Sequence, residues 1–249
     1  MAAPVTSDNI VGYTSQTVPN GKLAMIGIQF CNCGTESDIA INDIVPSGVE
    51  PGCWEESGDW RSSAPQLQVW NGVSYTFFYY ISNAYIEETD SEATGWANSR
   101  GDFITDTLAP GQAAWFKAAT GDSTVTTKGQ VVSGESKVIT CQANKLTMVA
   151  NPYPLAFGLN DSALVNYNGQ AGTWSESGDW RSDAPQMQVW DGNTYTFFYY
   201  IDNAYVEETD GEATGWANSR GDLATESINV GSGFWINPLS NDFSLTFKF

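Results

Sequence analysis

The chain has no histidine among its 249 residues. That removes the commonest general base, the Ser-His-Asp and Cys-His arrangements, and nearly every zinc site. Catalysis is left with paired carboxylates. Positive charge is also scarce. Ten Lys and Arg stand against 29 Asp and Glu, a net charge of −19. A nucleic-acid backbone and an anionic membrane surface both require basic patches, so neither partner is expected. No apolar run reaches the roughly 18 residues of a membrane-spanning helix, so no membrane span is expected. No secretory leader is evident, and Met1-Ala2-Ala3-Pro4 reads as a mature N-terminus with an added initiator Met.

What remains is apolar and aromatic. Hydrophobic residues make up 41% of the chain, so a core forms. Aromatics reach 13% and charged residues only 16%, a balance that suits strands and turns better than long helices.

The chain repeats itself. Residues 54–107 align without a gap on residues 174–227, with 41 of 54 positions identical. Weaker similarity extends outward, with Lys22-Leu23-Ala24-Met25-Ile26 recurring as Lys145-Leu146-Thr147-Met148-Val149. Two modules follow, residues 1–130 with an N-terminal arm and residues 134–249. The paired 54-residue blocks hold 20 of the 29 acids, all four Arg and no Lys, so the acidity belongs to the repeat.

Gln66-Leu67-Gln68-Val69-Trp70, Asn71-Gly72 and the run from Tyr75 to Ile81 predict a hairpin with a two-residue type I′ turn. Asp191-Gly192 serves the second copy. Further strands are expected at 11–18, 23–30, 112–117 and 244–249. Many short strands and turns predict an all-β chain of two tandem antiparallel sandwich-like modules, with barrel or trefoil-like modules as the alternative. In the strand after the turn, Tyr75, Phe77 and Tyr79 face one way and Thr76, Phe78 and Tyr80 the other. Burial on both sides, in part against the other module, is the plainer reading of two aromatic faces.

Gln68-Val69-Trp70-Asn71-Gly72, Tyr75 to Tyr80, Gly95-Trp96, Pro110-Gly111-Gln112-Ala113-Ala114-Trp115 and Asn151-Pro152-Tyr153-Pro154 resemble a β-rich tandem-repeat module of secreted bacterial cell-surface proteins. The first copy departs from it, with Ile28-Gln29-Phe30-Cys31 in place of the Asn-Pro-Tyr-Pro. The resemblance implies export, a surface location and a structural or adhesive role. With export, Cys31, Cys33, Cys53 and Cys141 are disulfide candidates. Cys31–Cys53 with Cys33–Cys141, and Cys33–Cys53 with Cys31–Cys141, both stay open. A zinc site is the less suitable alternative, because Cys-x-Cys is a poor zinc spacing.

Other constellations carry competing readings. Glu87, Glu88, Asp90 and Glu92 recur as Glu207, Glu208, Asp210 and Glu212, and clustered carboxylates suit calcium, although the EF-hand spacing is missing. The plainer reading is a solvated acidic loop. No cofactor is required, and calcium is the one candidate. Each Arg sits beside an Asp: Asp59 with Arg61, Arg100 with Asp102, Asp179 with Arg181, Arg220 with Asp222. Bidentate pins that fix loops are the natural use of such pairs. Arg100-Gly101-Asp102, repeated at Arg220-Gly221-Asp222, also spells an integrin-type tripeptide. Trp54, Trp60, Trp96, Trp174, Trp180 and Trp216 flank polar loops, where exposed indoles would grip sugar rings and buried ones would cap the core. Glu56 with Asp59, or Glu88 with Asp90, are the candidate carboxylate pairs for glycoside hydrolysis.

The expected function is non-catalytic. It is a secreted or cell-surface structural protein that assembles with copies of itself, the arm at residues 2–9, leading into residues 10–18, pairing with an open edge of a neighbour by strand addition. Carbohydrate binding, with a polysaccharide partner, is the alternative, and a carboxylate-based hydrolase comes third.

Overall fold

The computed structural model describes residues 11–56, 59–161 and 165–249. The arm at residues 2–9 lies outside the described residues. The chain is all-β: strands account for 52% of it and helix for 7%. Among the described residues every sheet stays open, so the barrel and trefoil alternatives fall away.

Each module stacks a larger sheet on a smaller one and adds a two-stranded sheet, Ile39–Ala40 with Thr107–Leu108 in the first and Phe157–Gly158 with Ser227–Ile228 in the second. In the first, the larger sheet runs Leu23–Gly27, Ala113–Lys117, Gln66–Trp70, Tyr75–Ile86 and Gly52–Cys53, with Ser91–Ala97 also paired to Tyr75–Ile86. The smaller sheet places Val11–Val18 beside Ser123–Val131, which also pairs Phe30–Cys31 and Val45–Ser47. The second module repeats the plan. Its larger sheet runs Thr147–Ala150, Gly233–Asn237, Gln186–Trp190, Tyr195–Val206 and Gly172–Thr173, with Gly211–Ala217 added. Its smaller sheet holds Ser136–Cys141, Phe243–Lys248 and Val165–Asn168.

Apolar side chains fill the space between the sheets, because a strand that alternates in and out can bury only one face on its partner sheet. Ile26, Ile28, Leu67, Phe78, Trp96, Phe116 and Val125 make the first core. Tyr153, Phe157, Met187, Phe198, Trp216, Phe234 and Phe243 make the second. Phe30 and Val131 of the first module belong to that second cluster. Trp96 and Trp216 are fully buried at the centre of each core.

The hairpin forms, with one correction. Trp70 pairs with Tyr75, so the connection has four residues and not two. Asn71 Oδ1 accepts the backbone N–H groups of Val73 and Ser74 at 3.0 and 2.9 Å, an Asx turn in place of the type I′ turn. Asp191 Oδ1 does the same for Asn193 and Thr194, both at 2.8 Å. The strand expected at 23–30 breaks into Leu23–Gly27 and Phe30–Cys31, which lie in different sheets.

The two aromatic faces of Tyr75–Ile86 divide their work. Phe78 and Tyr80 point into the module core. Tyr79 meets Trp60 edge-on at 5.2 Å, Tyr75 joins the contact with the other module, and Phe77 is left exposed.

Candidate functional site

The six tryptophans chosen from sequence do not form a sugar platform. Trp60, Trp96, Trp180 and Trp216 are buried. The Trp96 indole N–H donates to the Ile44 carbonyl at 2.6 Å inside the first core. Trp54 is half-buried and clamped. Its backbone N–H donates to Asn83 Oδ1 at 2.9 Å, and its indole N–H donates to the Arg100 carbonyl at 2.8 Å. Trp174 repeats the backbone bond with Asn203. Asn83 and Asn203 sit at φ near +60°, where the register of the long strand shifts. Their amides turn a bulge into a socket for the Trp chain.

The integrin-type tripeptide is part of that clamp. Gly101 has φ +92°, and a Cβ there would lie 2.2 Å from Trp54 Nε1. The glycine is needed for the positive φ and for the indole resting on it. Arg100 Nε and Asp102 Oδ2 pair with each other at 3.3 Å, and Arg220 with Asp222 at 3.1 Å. Each of these pairs is a single Nε–Oδ2 contact and not a bidentate fork, and it lies at the surface, where an ion pair contributes little. Arg61 and Arg181 lie over the rings of Trp60 and Trp180, 5.8 Å from each centroid. Among the described residues no ion pair joins Arg181 to Asp179, because the guanidinium has the neighbouring indole face to cover.

The acidic runs are exposed turns after the long strands. Glu87–Thr89 and Glu207–Thr209 form single 3-10 turns ended by Asp90 and Asp210 at φ +48°. Tyr85 and Tyr205 hydroxyls donate to Asp90 and Asp210 Oδ1 at 3.0 Å, which pushes both phenols up. Among the described residues no three of His, Cys, Asp and Glu come together as a metal site. Glu56, Asp59, Glu88 and Asp90 are exposed.

All four cysteines are free thiols. Cys141 is sealed in the second core and burial pushes its thiol up to about 12. Cys31 is buried and donates to the Gln130 carbonyl at 3.3 Å. Cys33 and Cys53 are exposed.

The feature that sequence reasoning missed lies between the modules. Met25, Ala113, Trp115, Met148, Ala150 and Trp235 form a separate apolar cluster, with Leu23, Trp70, Tyr75, Trp190 and Tyr195 packed on it. Trp70 meets Trp235 and Trp190 meets Trp115 edge-on, both at 5.8 Å. Gly27 N–H donates to the Gly231 carbonyl at 2.7 Å, and Ala150 N–H to the Gly111 carbonyl at 2.9 Å. Each contact has its counterpart in the other copy, so the tandem repeat docks as a pseudo-two-fold dimer.

Two clefts flank this joint and are related by the same pseudo-symmetry. One, of about 560 Å³, lies among Trp190, Asp191, Ser232, Lys22, Gln16 and Thr17. The other, of about 460 Å³, lies among Trp70, Asn71, Gln112, Lys145, Ile139 and Thr140. In each, a Trp-Asx-Gly turn from one module faces a lysine loop and an outer strand from the other. The first has Lys22 and Asp191 as its charged residues; the second has Lys137 and Lys145 and no acid.

Compared with family models, curated proteins and solved structures, the chain matches none of them.

Proposed function

We propose that the chain is a non-catalytic structural protein of the cell exterior that associates with further copies of itself by strand addition. The observation that carries this reading is the outer edge of Val11–Val18. Those eight residues pair one-to-one with Gln130 through Ser123, with no bulge. Among the described residues they make no backbone hydrogen bond to any other element. The segment VGYTSQTV holds no charge and no proline. Proteins ordinarily blunt an open edge with lysine, proline, a bulge or a covering loop, and among the described residues this edge has none of these.

The side chains there suit the same role. Val11 and Tyr13 stand out from the sheet, Tyr13 at 74% exposure. Beside them lies a largely apolar recess of about 630 Å³ lined in part by Gly12, Cys31 and Ile39. Backbone pairing supplies affinity in strand addition, and such knobs and hollows supply register. The likeness of Gln68 to Gly72 and of Pro110 to Trp115 to exported surface modules agrees with this placement. The rigid joint between modules holds each copy's open edge in one orientation, which a regular polymer requires.

The test is sedimentation velocity with negative-stain microscopy on the wild type and on Ser15→Lys/Thr17→Lys. Both side chains point to solvent, so the fold tolerates lysine while the edge does not. Concentration-dependent oligomers in the wild type, lost in the variant, are expected. A wild type that stays monomeric at millimolar concentration, or a variant that assembles equally, refutes the reading.

A further inference from the structure

We propose that the Asn71 cleft is a binding site for a carboxylated saccharide, a ligand carrying a uronic-acid ring. This is independent of strand addition, since the open edge of Val11–Val18 contributes nothing to that cleft.

The cleft has the size and chemistry for such a ligand. Its volume of about 460 Å³ falls within the range of small-molecule sites, roughly 300–1,000 Å³. Its wall combines the Trp70 indole with the amides of Gln112 and Gln142 and the hydroxyl of Thr140. An apolar wall beside amides and hydroxyls matches a sugar ring, which has C–H faces and a rim of hydroxyls. The Trp70 N–H is already given to the Leu146 carbonyl at 2.8 Å, so the indole is fixed in place.

Charge selects the acid. The chain carries −19 overall, yet this recess holds two ammonium groups and no carboxylate. Lys145 Nζ donates to Gln142 Oε1 at 2.8 Å, which anchors one ammonium and leaves it further protons to donate.

The sister cleft shows that this charge is separable from folding. Two of their differences change the charge. Asn71 stands where the other copy has Asp191, and Lys137 stands where strand register places Thr14. Both add one positive charge to the same cleft. From the residues lining each, the sum is +2 here (Lys137, Lys145) and zero there (Lys22, Asp191). Turn formation does not explain the amide at 71, because Asp191 caps the equivalent turn with the same two backbone bonds. A neutral residue at 71 therefore changes what the recess attracts and not how the hairpin closes.

That equivalence supplies a clean variant. Asn71→Asp places a carboxylate in the cleft while keeping the turn. The full chain is titrated by calorimetry and tryptophan fluorescence with trigalacturonate, maltotriose and acetate, alongside Asn71→Asp and Lys145→Gln. Expected is one saturable site for trigalacturonate, weakened about tenfold by either substitution, a loss of about 1.4 kcal/mol. Maltotriose and acetate alone should bind far more weakly, and melting temperatures should hold. No uptake of trigalacturonate, equal uptake of maltotriose, or an affinity untouched by Asn71→Asp would each overturn the assignment.

Discussion

The indole N–H of Trp70 donates to the backbone carbonyl of Leu146 at 2.8 Å, across the joint between the modules. Trp190 makes the reciprocal bond to Leu23 at 2.9 Å. The two bonds close a ring of aromatic contacts in which Tyr75 meets Trp235 and Tyr195 meets Trp115 edge-on, at 6.5 and 6.4 Å. A solvent-accessible bond of this kind contributes about 0.5–1.5 kcal/mol net. Trp70→Phe keeps a ring but removes the donor. It is expected to lower the melting temperature by about 1–6 °C at roughly 2–4 °C per kcal/mol for a chain of this size. Trp190→Phe should match it within about 3 °C. Differential scanning calorimetry checks both, and unequal effects would show that the joint is less symmetric than its contacts.

The Gly101 clamp gives a second expectation. Gly101→Ala and Gly221→Ala force a side chain onto φ values above +90° and into the indoles of Trp54 and Trp174. A forced positive φ alone costs on the order of 1–3 kcal/mol, and the displaced indole adds to it. Gly34, at φ +80° with nothing near its absent Cβ, is the control. Its alanine variant carries the backbone cost alone. Guanidinium unfolding should rank Gly101→Ala and Gly221→Ala as clearly less stable than Gly34→Ala. Equal midpoints would mean that the Trp54 packing contributes nothing.

Much of the fold was legible because its signals are local. A period of two, Asx-Gly turns and the 120-residue echo place the hairpins and the two copies. Longer-range features were not. Trp70 and Trp115 read as ordinary strand residues, and nothing in their spacing says that they meet Trp235 and Trp190. Asn42 and Asn160 bracket the buried Trp96 and Trp216, each accepting that residue's backbone N–H at 2.9 and 2.8 Å. They escaped notice because their offset is 118, outside the ungapped block. The recurrence of Asn42-Asp43 as Asn160-Asp161 was the available signal. The acidic runs left calcium and a solvated loop both open, because composition does not reveal whether carboxylates converge or splay apart.

Free thiols of unequal access give a third expectation. Cys33 and Cys53 are exposed, while Cys31 and Cys141 are buried. Burial also raises both buried thiols, so little thiolate forms at neutral pH. Maleimide added to the native protein should label two cysteines within minutes and all four only after unfolding. Intact mass without reductant should show four thiols. A mass short by two or four hydrogens would restore the disulfide framework.

The pH dependence of stability follows from which groups the fold perturbs. Without imidazole, no side chain of ordinary pKa titrates between about pH 5 and 8. Unfolding free energy should therefore be nearly flat across that range. Above it the sign is definite. Burial raises Tyr75, Tyr80, Tyr167, Tyr195 and Tyr200 above the usual 10, and Cys141 from 9.0 to about 12. The unfolded chain loses these protons first, so it binds fewer protons than the native state and stability falls with rising pH. The stabilisation is complete below pH 9 and declines as pH climbs through 9 toward 12. Cys31 and Cys141 are the earliest-titrating members, since both thiols are raised from 9.0 by burial. Cys141→Ala should reduce the onset between pH 9 and 10 and leave the later, tyrosine-driven loss intact. Urea midpoints at half-unit pH steps test this, and a wild type whose midpoint holds steady to pH 12 would contradict the burial assigned to these rings.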